Sequence, residues 1–288
     1  MRVVSLHADV LLATSAVWQT NCVIVRGAAH AHADTDSPLK VRIAGESDAG
    51  ERAGAGAETF VIDSPVLPEE LEVLPALLEQ SRFQQPSGLL VTHADWDHML
   101  ARLAFPDATL GCARSSAERM RSSPGAVQRE LRGFDDEHYV QRPRPLALGS
   151  VQALDVPGGC EIGSGELALH PAEGHTSDGM AVWIGWTGVL VAGDYLSNVE
   201  IPVLGAGASV AAYLATLERL RPLVLAAKHV VPGHGSVLDP GRAIAVLEED
   251  VVYLNALRER GSAAELPEGR RTGEQRRIHS ENSARAGL

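Results

Sequence analysis

Cysteine is scarce in this sequence of 288 residues. Its three cysteines, Cys22, Cys112 and Cys160, lie far apart, and no Cys-x-x-Cys pair occurs. This spacing argues against a disulfide framework and against a cysteine-based zinc or redox motif. We therefore expect the cysteines to act as small apolar residues in or near strands, in a reducing compartment.

Long apolar runs and an excess of positive charge are also missing. No stretch of about 18 apolar residues predicts a membrane-spanning helix, and His7 and Asp9 interrupt the N-terminal run that a signal peptide would need. The formal net charge of −12 argues against nucleic acid or an anionic membrane as a partner. We expect a cytoplasmic protein that acts on a small-molecule substrate; the oligomeric state is not predicted.

Apolar residues and glycine are plentiful. Hydrophobic residues make up 45% of the chain and glycine occupies 28 positions, which fits a sizeable core carrying many loops. The motifs described below span most of the chain, so we expect a single domain over residues 1–260. Residues 27–58 have almost no large apolar side chains and are expected to be a flexible insertion. Residues 261–288 are polar and arginine-rich and are expected to be a disordered tail.

Short apolar runs predict strands, and longer amphipathic runs predict helices. Strands are expected at residues 3–12, 22–26, 59–63, 89–92, 108–112, 151–156, 167–171, 180–186 and 189–192. Helices are expected at residues 68–81, 97–105, 210–220 and 240–260, with further helices and a loop in 113–145. The strands around Val23 and Ile62 are expected to pair with each other across the insertion.

Residues 92–98, Thr-His-Ala-Asp-Trp-Asp-His, contain four side chains that can bind a metal. These are His93, Asp95, Asp97 and His98, and they directly follow the apolar run Gly-Leu-Leu-Val. A strand fixes the backbone, and the turn after it can direct imidazoles and carboxylates toward one point. The pattern therefore predicts a metal site at the end of this strand.

Three more candidate ligands follow downstream, each beside glycine. His175 lies in Glu-Gly-His-Thr, Asp194 in Ala-Gly-Asp-Tyr, and His234 in Val-Pro-Gly-His-Gly. A single His or Asp in a loop is usually solvated or caps a helix. All seven residues in this order and context favour one shared site instead.

This ordered set resembles the metallo-β-lactamase fold superfamily over roughly residues 3–258. The first motif of that superfamily is His-x-His-x-Asp-His, and the contexts of His175, Asp194 and His234 match its later ligands. The second His of the first motif is replaced here by Asp95. The resemblance, together with strands in two groups separated by helices, implies an α/β fold: a four-layer αββα sandwich of two mixed β-sheets, with the site at their edge. It does not specify a substrate, because one fold carries many chemistries.

The resemblance also implies two divalent metal ions and a set of ligands for each. His93, Asp95 and His175 would bind one ion, Asp97, His98 and His234 would bind the other, and Asp194 would bridge them. A bridging hydroxide would attack the substrate, with Asp97 and Asp194 as the predicted catalytic residues. Zinc is the metal that the family favours, whereas the additional oxygen ligand from Asp95 moves the preference toward manganese or iron.

Asp95 leaves two alternatives open. As a ligand, it would add a negative charge, so that three carboxylates and a hydroxide balance two divalent ions and leave a weaker Lewis acid. If it points away, one metal on Asp97, His98 and His234 remains. A related branch, the flavodiiron proteins, carries Glu at this position and binds iron, but this chain has no room for their flavodoxin domain.

Three aromatic residues are candidates for binding the substrate. Trp96 lies between ligands, and Trp18 lies on an early hairpin loop that borders the substrate in this superfamily. Tyr195 follows Asp194 and could donate a hydrogen bond to a substrate oxygen. Core packing is the alternative for Trp18 and Tyr195.

Arginines could in addition anchor an anionic substrate, although such residues more often form a solvated helix face. The candidates are Arg114, Arg119, Arg121, Arg129, Arg132, Arg142 and Arg144.

The function predicted from these patterns is hydrolysis of a small ester, thioester or lactone. No Gly-x-Ser-x-Gly elbow is present, so the nucleophile would be hydroxide rather than serine. One alternative is a mononuclear iron-dependent oxidoreductase resembling persulfide dioxygenases. A second is an inactive binding protein of the same fold that lost activity through Asp95.

Overall fold

A computed structural model describes residues 1–27, 58–205 and 207–286 of the protein. The predicted insertion at 27–58 falls almost entirely outside the described residues.

One mixed sheet contains the first seven strands in sequential order. The first to the fourth strands pair antiparallel, and the fourth to the seventh strands pair parallel. Val23 pairs with Ile62, which confirms the strand pair predicted across the insertion. The strands are β1 (Arg2–His7), β2 (Val10–Thr14), β3 (Asn21–Arg26), β4 (Thr59–Ile62), β5 (Gly88–Val91), β6 (Thr109–Ala113) and β7 (Val151–Leu154).

The second mixed sheet contains five strands in the order β12-β11-β10-β9-β8. Its pairs are antiparallel except for the parallel pair of β11 and β12. The turn at Thr187-Gly188 joins β10 to β11 as predicted, with Gly188 at φ +74°. The strands are β8 (Gly158–Ile162), β9 (Gly165–Pro171), β10 (Met180–Ile184), β11 (Val189–Gly193) and β12 (His229–Pro232).

Helices cover the outer faces of both sheets. The helices on the first sheet's side are α1 (Pro68–Gln80), α2 (Ala101–Ala104), α3 (Arg114–Ser122) and α4 (Ala126–His138); those on the second sheet's side are α5 (Val210–Ala226), α6 (Pro240–Arg260) and α7 (Gly273–Ala286). Buried apolar side chains from both sheets, such as Leu12, Ile62 and Val182, form one cluster between them. The predicted αββα sandwich is therefore confirmed.

Several elements differ from the sequence prediction. Residues 3–12 form two strands, β1 and β2, because the chain turns after His7. The sequence patterns did not predict β8 or β12, which are each only four or five residues long. Trp96–His98 is a 3₁₀ turn rather than the start of a continuous helix to 105, and α5 continues to Ala226.

The prediction of a disordered tail is wrong for the described residues 261–286. Helix α7 packs on the molecule, and Gln275, Ile278 and Asn282 are buried. Asn282 accepts a hydrogen bond from the Leu204 N–H at 2.9 Å and donates one to the Pro202 carbonyl at 2.6 Å. Polar side chains thus hold this segment by pairing with the backbone of another loop, a type of contact that apolar periodicity cannot reveal.

No helix in the described part of the chain is both long and apolar enough to span a membrane.

Candidate metal centre

The seven predicted ligands converge at one edge of the sandwich. Four lie just after β5, His175 follows β9, Asp194 follows β11, and His234 follows β12. Backbone hydrogen bonds join the sheets here: the Met180 N–H donates to the Thr92 carbonyl at 2.7 Å, and the Asn21 N–H donates to the Gly233 carbonyl at 2.7 Å. The strand ends of both sheets therefore bring the side chains together.

One group of donors consists of His93, Asp95 and His175. The Oδ2 atom of Asp95 lies 3.5 Å from His93 Nε2 and 3.4 Å from His175 Nε2. Both imidazoles are buried. We call this group the first triad.

A second group consists of Asp97, His98 and His234. The Oδ2 atom of Asp97 lies 3.6 Å from His98 Nε2 and 3.3 Å from His234 Nε2. All three residues are buried. We call this group the second triad.

Asp194 lies between the two triads and directs one oxygen toward each. Its Oδ2 atom is 3.7 Å from His93 Nε2 and 3.4 Å from His175 Nε2. Its Oδ1 atom is 3.2 Å from His98 Nε2 and 3.5 Å from His234 Nε2. A carboxylate in this position can be shared by two neighbouring cations.

The donor spacing fits metal coordination. Donors at the corners of a tetrahedron, each about 2.0–2.2 Å from an ion, are separated by about 3.3–3.6 Å, close to the range seen in both triads. Among the described residues, the buried atoms His93 Nε2, His98 Nε2 and Asp194 Oδ1 have no hydrogen-bond partner. Buried polar atoms left in this state are costly unless something else satisfies them, so the residues fit a pair of metal ions.

The other ring nitrogen of each histidine faces an oxygen. His175 Nδ1 is 2.8 Å from the Val203 carbonyl, His93 Nδ1 is 3.1 Å from Thr92 Oγ1, and His98 Nδ1 is 3.0 Å from Asp63 Oδ2. His234 Nδ1 lies 3.3 Å from both Thr20 Oγ1 and the Trp18 carbonyl. These oxygens favour a proton on Nδ1 and leave Nε2 as the metal-binding atom.

Glycine permits a close approach of backbone to ligand beside Asp194 and His234. A Cβ atom at Gly233 would collide with Asp194 Oδ1. Gly193, directly before Asp194, has φ +61°, a left-handed conformation that favours glycine.

The three carboxylates strongly influence the imidazoles. Burial raises the pKa of Asp194, but His234 and His98 outweigh that effect and hold the pKa well below its ordinary value. Burial lowers the pKa of His175, but Asp95 and Asp194 outweigh it and raise the pKa to about 9. Without a cation, the site therefore binds protons tightly.

Sequence reasoning missed three charged residues around the triads, Asp63, Asp178 and Glu200, and it considered Arg119 only as a substrate anchor. Asp63 faces His98, and it also accepts hydrogen bonds from the Thr92 N–H and hydroxyl. Arg119 contacts both Asp95 and Asp178. Asp178 in turn accepts a hydrogen bond from the N–H of Ala94, the residue before Asp95. Burial lowers the pKa of His234, whereas Glu200 and then Asp194 raise it well above its ordinary value. The only sequence signal was position: Asp63 ends a strand run, and Glu200 and Asp178 lie shortly after predicted ligands.

The two tryptophans occupy one side of the site. Trp96 is buried at 9% exposure, beneath Trp18 and Phe134, whose ring centroids lie 5.6 and 4.8 Å away. Trp18 is 44% exposed. Core packing was the alternative raised for Trp18, but it describes the buried Trp96 better. The exposed face of Trp18 is therefore the part of this aromatic cluster that a substrate can reach.

Tyr195 is not placed to bind a substrate. It is 2% exposed, and its hydroxyl accepts a hydrogen bond from the His175 N–H at 3.0 Å and donates one to the Ala172 carbonyl at 3.2 Å. Tyr195 instead supports the backbone that carries His175, which corrects the prediction of a substrate contact.

Three of the seven candidate arginines are paired with carboxylates. Arg114 contacts Asp155, Arg142 contacts Asp135, and Arg119 contacts Asp95 and Asp178. Arg119 also lines a cavity of about 290 Å³ beside the first triad, together with Ala94, Glu130 and Ser177. Because its charge is already shared between two carboxylates, Arg119 is a poor anchor for an anionic substrate.

A sandwich with His and Asp donors grouped at its edge defines an α/β protein with residues suited to metal binding. The sequence profile described as the metallo-beta-lactamase superfamily matches residues 56–234. This match covers more than half of the chain, so the protein belongs to the metallo-beta-lactamase superfamily. Comparison with curated proteins finds no match.

Solved structures of other proteins share this fold. The metallo-beta-lactamase family protein TTHA1429 from Thermus thermophilus is 17% identical, with a TM-score of 0.65, over 98% of this chain and 93% of that one. DIM-1 metallo-beta-lactamase is 17% identical, with a TM-score of 0.55, over 88% and 96% of the two chains. TTHA1623 in a di-iron-bound form is 19% identical, with a TM-score of 0.55, over 82% and 97%. At these identities the likeness establishes the fold alone.

Proposed function

We propose that the protein is a hydrolase that uses two divalent cations to cleave a small ester, thioester or lactone. Asp194 carries the proposal, because its two oxygens face two separate triads. When bound about 3.5–4 Å apart, two such cations polarise a carbonyl and supply hydroxide at neutral pH.

The residues of the chain have distinct roles in this proposal. The first triad would hold one cation, the second triad would hold the other, and Asp194, which lies between the triads, would be shared by both. Asp97 in the second triad and Asp194 between the triads would be the catalytic carboxylates. The oxygens on the Nδ1 side of the histidines keep the ligands in place, so the site does not have to reorganise when substrate arrives.

The surroundings of the site suit a small substrate. Trp18 offers an exposed aromatic face, and the cavity of about 290 Å³ is lined by Ala94 and Arg119, next to the first triad. That volume is just below the roughly 300–1,000 Å³ usual for small-molecule sites. The lining of the cavity combines the polar residues Ser177 and Glu130 with the apolar residues Met120 and Val127, which suits a small substrate that has both polar and apolar groups.

The test measures metal content and hydrolysis on the same preparation. Protein purified without chelator is analysed for metals and assayed against chromogenic esters, thioesters and lactones. We expect two metals per chain and turnover of at least one class, with Asp194→Asn losing activity by a factor on the order of 100 or more. Asp155→Asn is the matched control, because that carboxylate is 81% exposed and pairs with Arg114. Two metals without turnover of any carbonyl substrate would contradict hydrolysis.

An iron-dependent oxidoreductase is the second candidate function. Two observations favour it: three of the seven donors are carboxylates, which suit iron or manganese better than they suit zinc, and a solved structure of the same fold holds two irons. Iron in the purified protein together with substrate-dependent oxygen uptake would support this function. Metal binding with neither hydrolysis nor oxygen uptake would support a binding protein.

A further inference from the structure

Arg119 lies on the outer side of Asp95. Its Nη2 atom is 2.6 Å from Asp95 Oδ1, and its Nη1 atom donates to Asp178 Oδ1 at 2.9 Å. Asp178 is buried, and its second oxygen accepts a hydrogen bond from the Ala94 N–H at 2.9 Å. We call this chain of contacts, Asp95–Arg119–Asp178, the Arg119 bridge. It joins helix α3 to both loops that supply the first triad.

The Arg119 bridge separates the two oxygens of Asp95. Oδ1 faces the guanidinium, whereas Oδ2 faces His93 and His175 at 3.5 and 3.4 Å. A free carboxylate can bind a cation through both oxygens. The contact of Oδ1 with Arg119 is an ion pair without hydrogen-bond alignment. With Oδ1 held in this ion pair, Asp95 has one oxygen available, so it matches the single nitrogen that an imidazole would offer at this position.

The Arg119 bridge also changes the charge of the first triad. Asp95 adds a negative charge where the superfamily motif has a neutral histidine. Arginine stays protonated in proteins, and the Arg119 side chain is only 18% exposed, so water and salt screen its interaction with Asp95 only in part. Asp178 shares the guanidinium, and Arg119 therefore offsets part of the added charge.

We propose that Arg119 is the positioning residue that makes Asp95 a one-oxygen metal ligand and offsets its charge. This inference rests on the proposed two-metal site and assigns a function to an arginine outside the ligand motifs. It makes a specific claim: Arg119 matters for metal binding because residue 95 is Asp, and it would matter little if residue 95 were His.

A double-mutant cycle tests that claim. Zinc and manganese affinities and stoichiometries are measured by titration calorimetry and elemental analysis for the wild type, Arg119→Met, Asp95→His and the double variant. In the wild-type background, we expect Arg119→Met to weaken one of the two sites by about 10- to 100-fold. In the Asp95→His background, we expect the same change to weaken it by less than about threefold, since a neutral imidazole needs no guanidinium.

Controls separate this function from a purely structural one. Arg121→Met removes an exposed arginine of the same helix and should leave both affinities unchanged. Circular dichroism and thermal unfolding check that each variant is folded. If Arg119→Met lowers the metal affinity equally in both backgrounds, Arg119 acts by holding α3 in place through Asp178, and the inference is overturned. If the wild type binds two metals and Arg119→Met binds them with the same affinity, the inference about Arg119 is overturned and the proposed function is not. If the wild type binds no metal, both the inference and the proposed function are overturned.

Discussion

The hydroxyl of Tyr195 accepts a hydrogen bond from the backbone N–H of His175 at 3.0 Å. Tyr195 directly follows Asp194, so the residue beside the carboxylate between the triads also supports the loop that carries His175 of the first triad. The hydroxyl donates in turn to the Ala172 carbonyl, and burial raises the Tyr195 pKa far above its ordinary value. The hydroxyl is therefore a neutral bridge between two strand ends.

Tyr195→Phe should destabilise the protein and weaken the first triad. Removal of the hydroxyl leaves the buried His175 N–H unpaired, which costs about 1–3 kcal/mol. Denaturant unfolding measures the loss, and metal titration should show one weakened site. Tyr139→Phe is the matched control, because Tyr139 is 92% exposed and should change neither quantity. Unchanged metal affinity in a destabilised Tyr195→Phe would restrict Tyr195 to packing.

Gly233→Ala should impair the binding of both metals. The added Cβ collides with Asp194 Oδ1, and Asp194 serves both triads. We expect the metal content to fall toward zero, measured by elemental analysis. Gly149→Ala adds the same methyl group where no other atom lies within 4 Å and should retain wild-type metal content. Two tightly bound metals in Gly233→Ala would show that Asp194 is not a shared ligand.

Metal affinity should fall as the pH is lowered. Burial lowers the pKa of His175, but Asp95 and Asp194 outweigh it and raise the pKa to about 9, and the pKa values of His98 and His234 are raised in the same direction. These imidazoles bind protons when no cation is present, and a cation must displace them. Protons are therefore released on binding at pH 7, and fewer are released as the pH rises past about 9. Calorimetry in buffers of different ionisation enthalpy counts them; no proton release at pH 7 would contradict the expectation.

Asn282→Ala should loosen the loop at 197–205. Asn282 is fully buried, and it pairs with the Leu204 N–H and the Pro202 carbonyl. Its loss leaves two backbone groups unpaired and should cost about 2–4 kcal/mol in unfolding experiments. The Val203 carbonyl of the same loop holds His175 Nδ1, so first-triad affinity should also decrease.

Ser280→Ala serves as the control for Asn282→Ala. Ser280 is an exposed position of the same helix, and its replacement should have little effect on stability or on metal affinity. A destabilised Asn282→Ala with unchanged affinity would show that α7 supports the fold without influencing the site.

Much of the fold could be predicted, because its strands are short apolar runs between clear turns. The helix at Pro240–Arg260 and the pairing of Val23 with Ile62 follow directly from such patterns. Strand β8 and helix α7 could not be predicted in the same way. Gly158–Ile162 contains two glycines and only one fully buried side chain, and α7 is held mainly by polar contacts.

The order of residues along the chain was enough to specify which donor types are available and that they follow strand ends. His93, Asp95, Asp97 and His98 lie within six positions, so local chain geometry already brings them near one another. The folded structure was needed to establish that Asp194 faces both triads, that Tyr195 supports His175 and that Arg119 contacts Asp95. Those contacts join residues from separate elements, and the packing of the two sheets and their helices sets the distances between them. A motif specifies chemistry and order along the chain, whereas the direction of each carboxylate oxygen depends on what packs behind it.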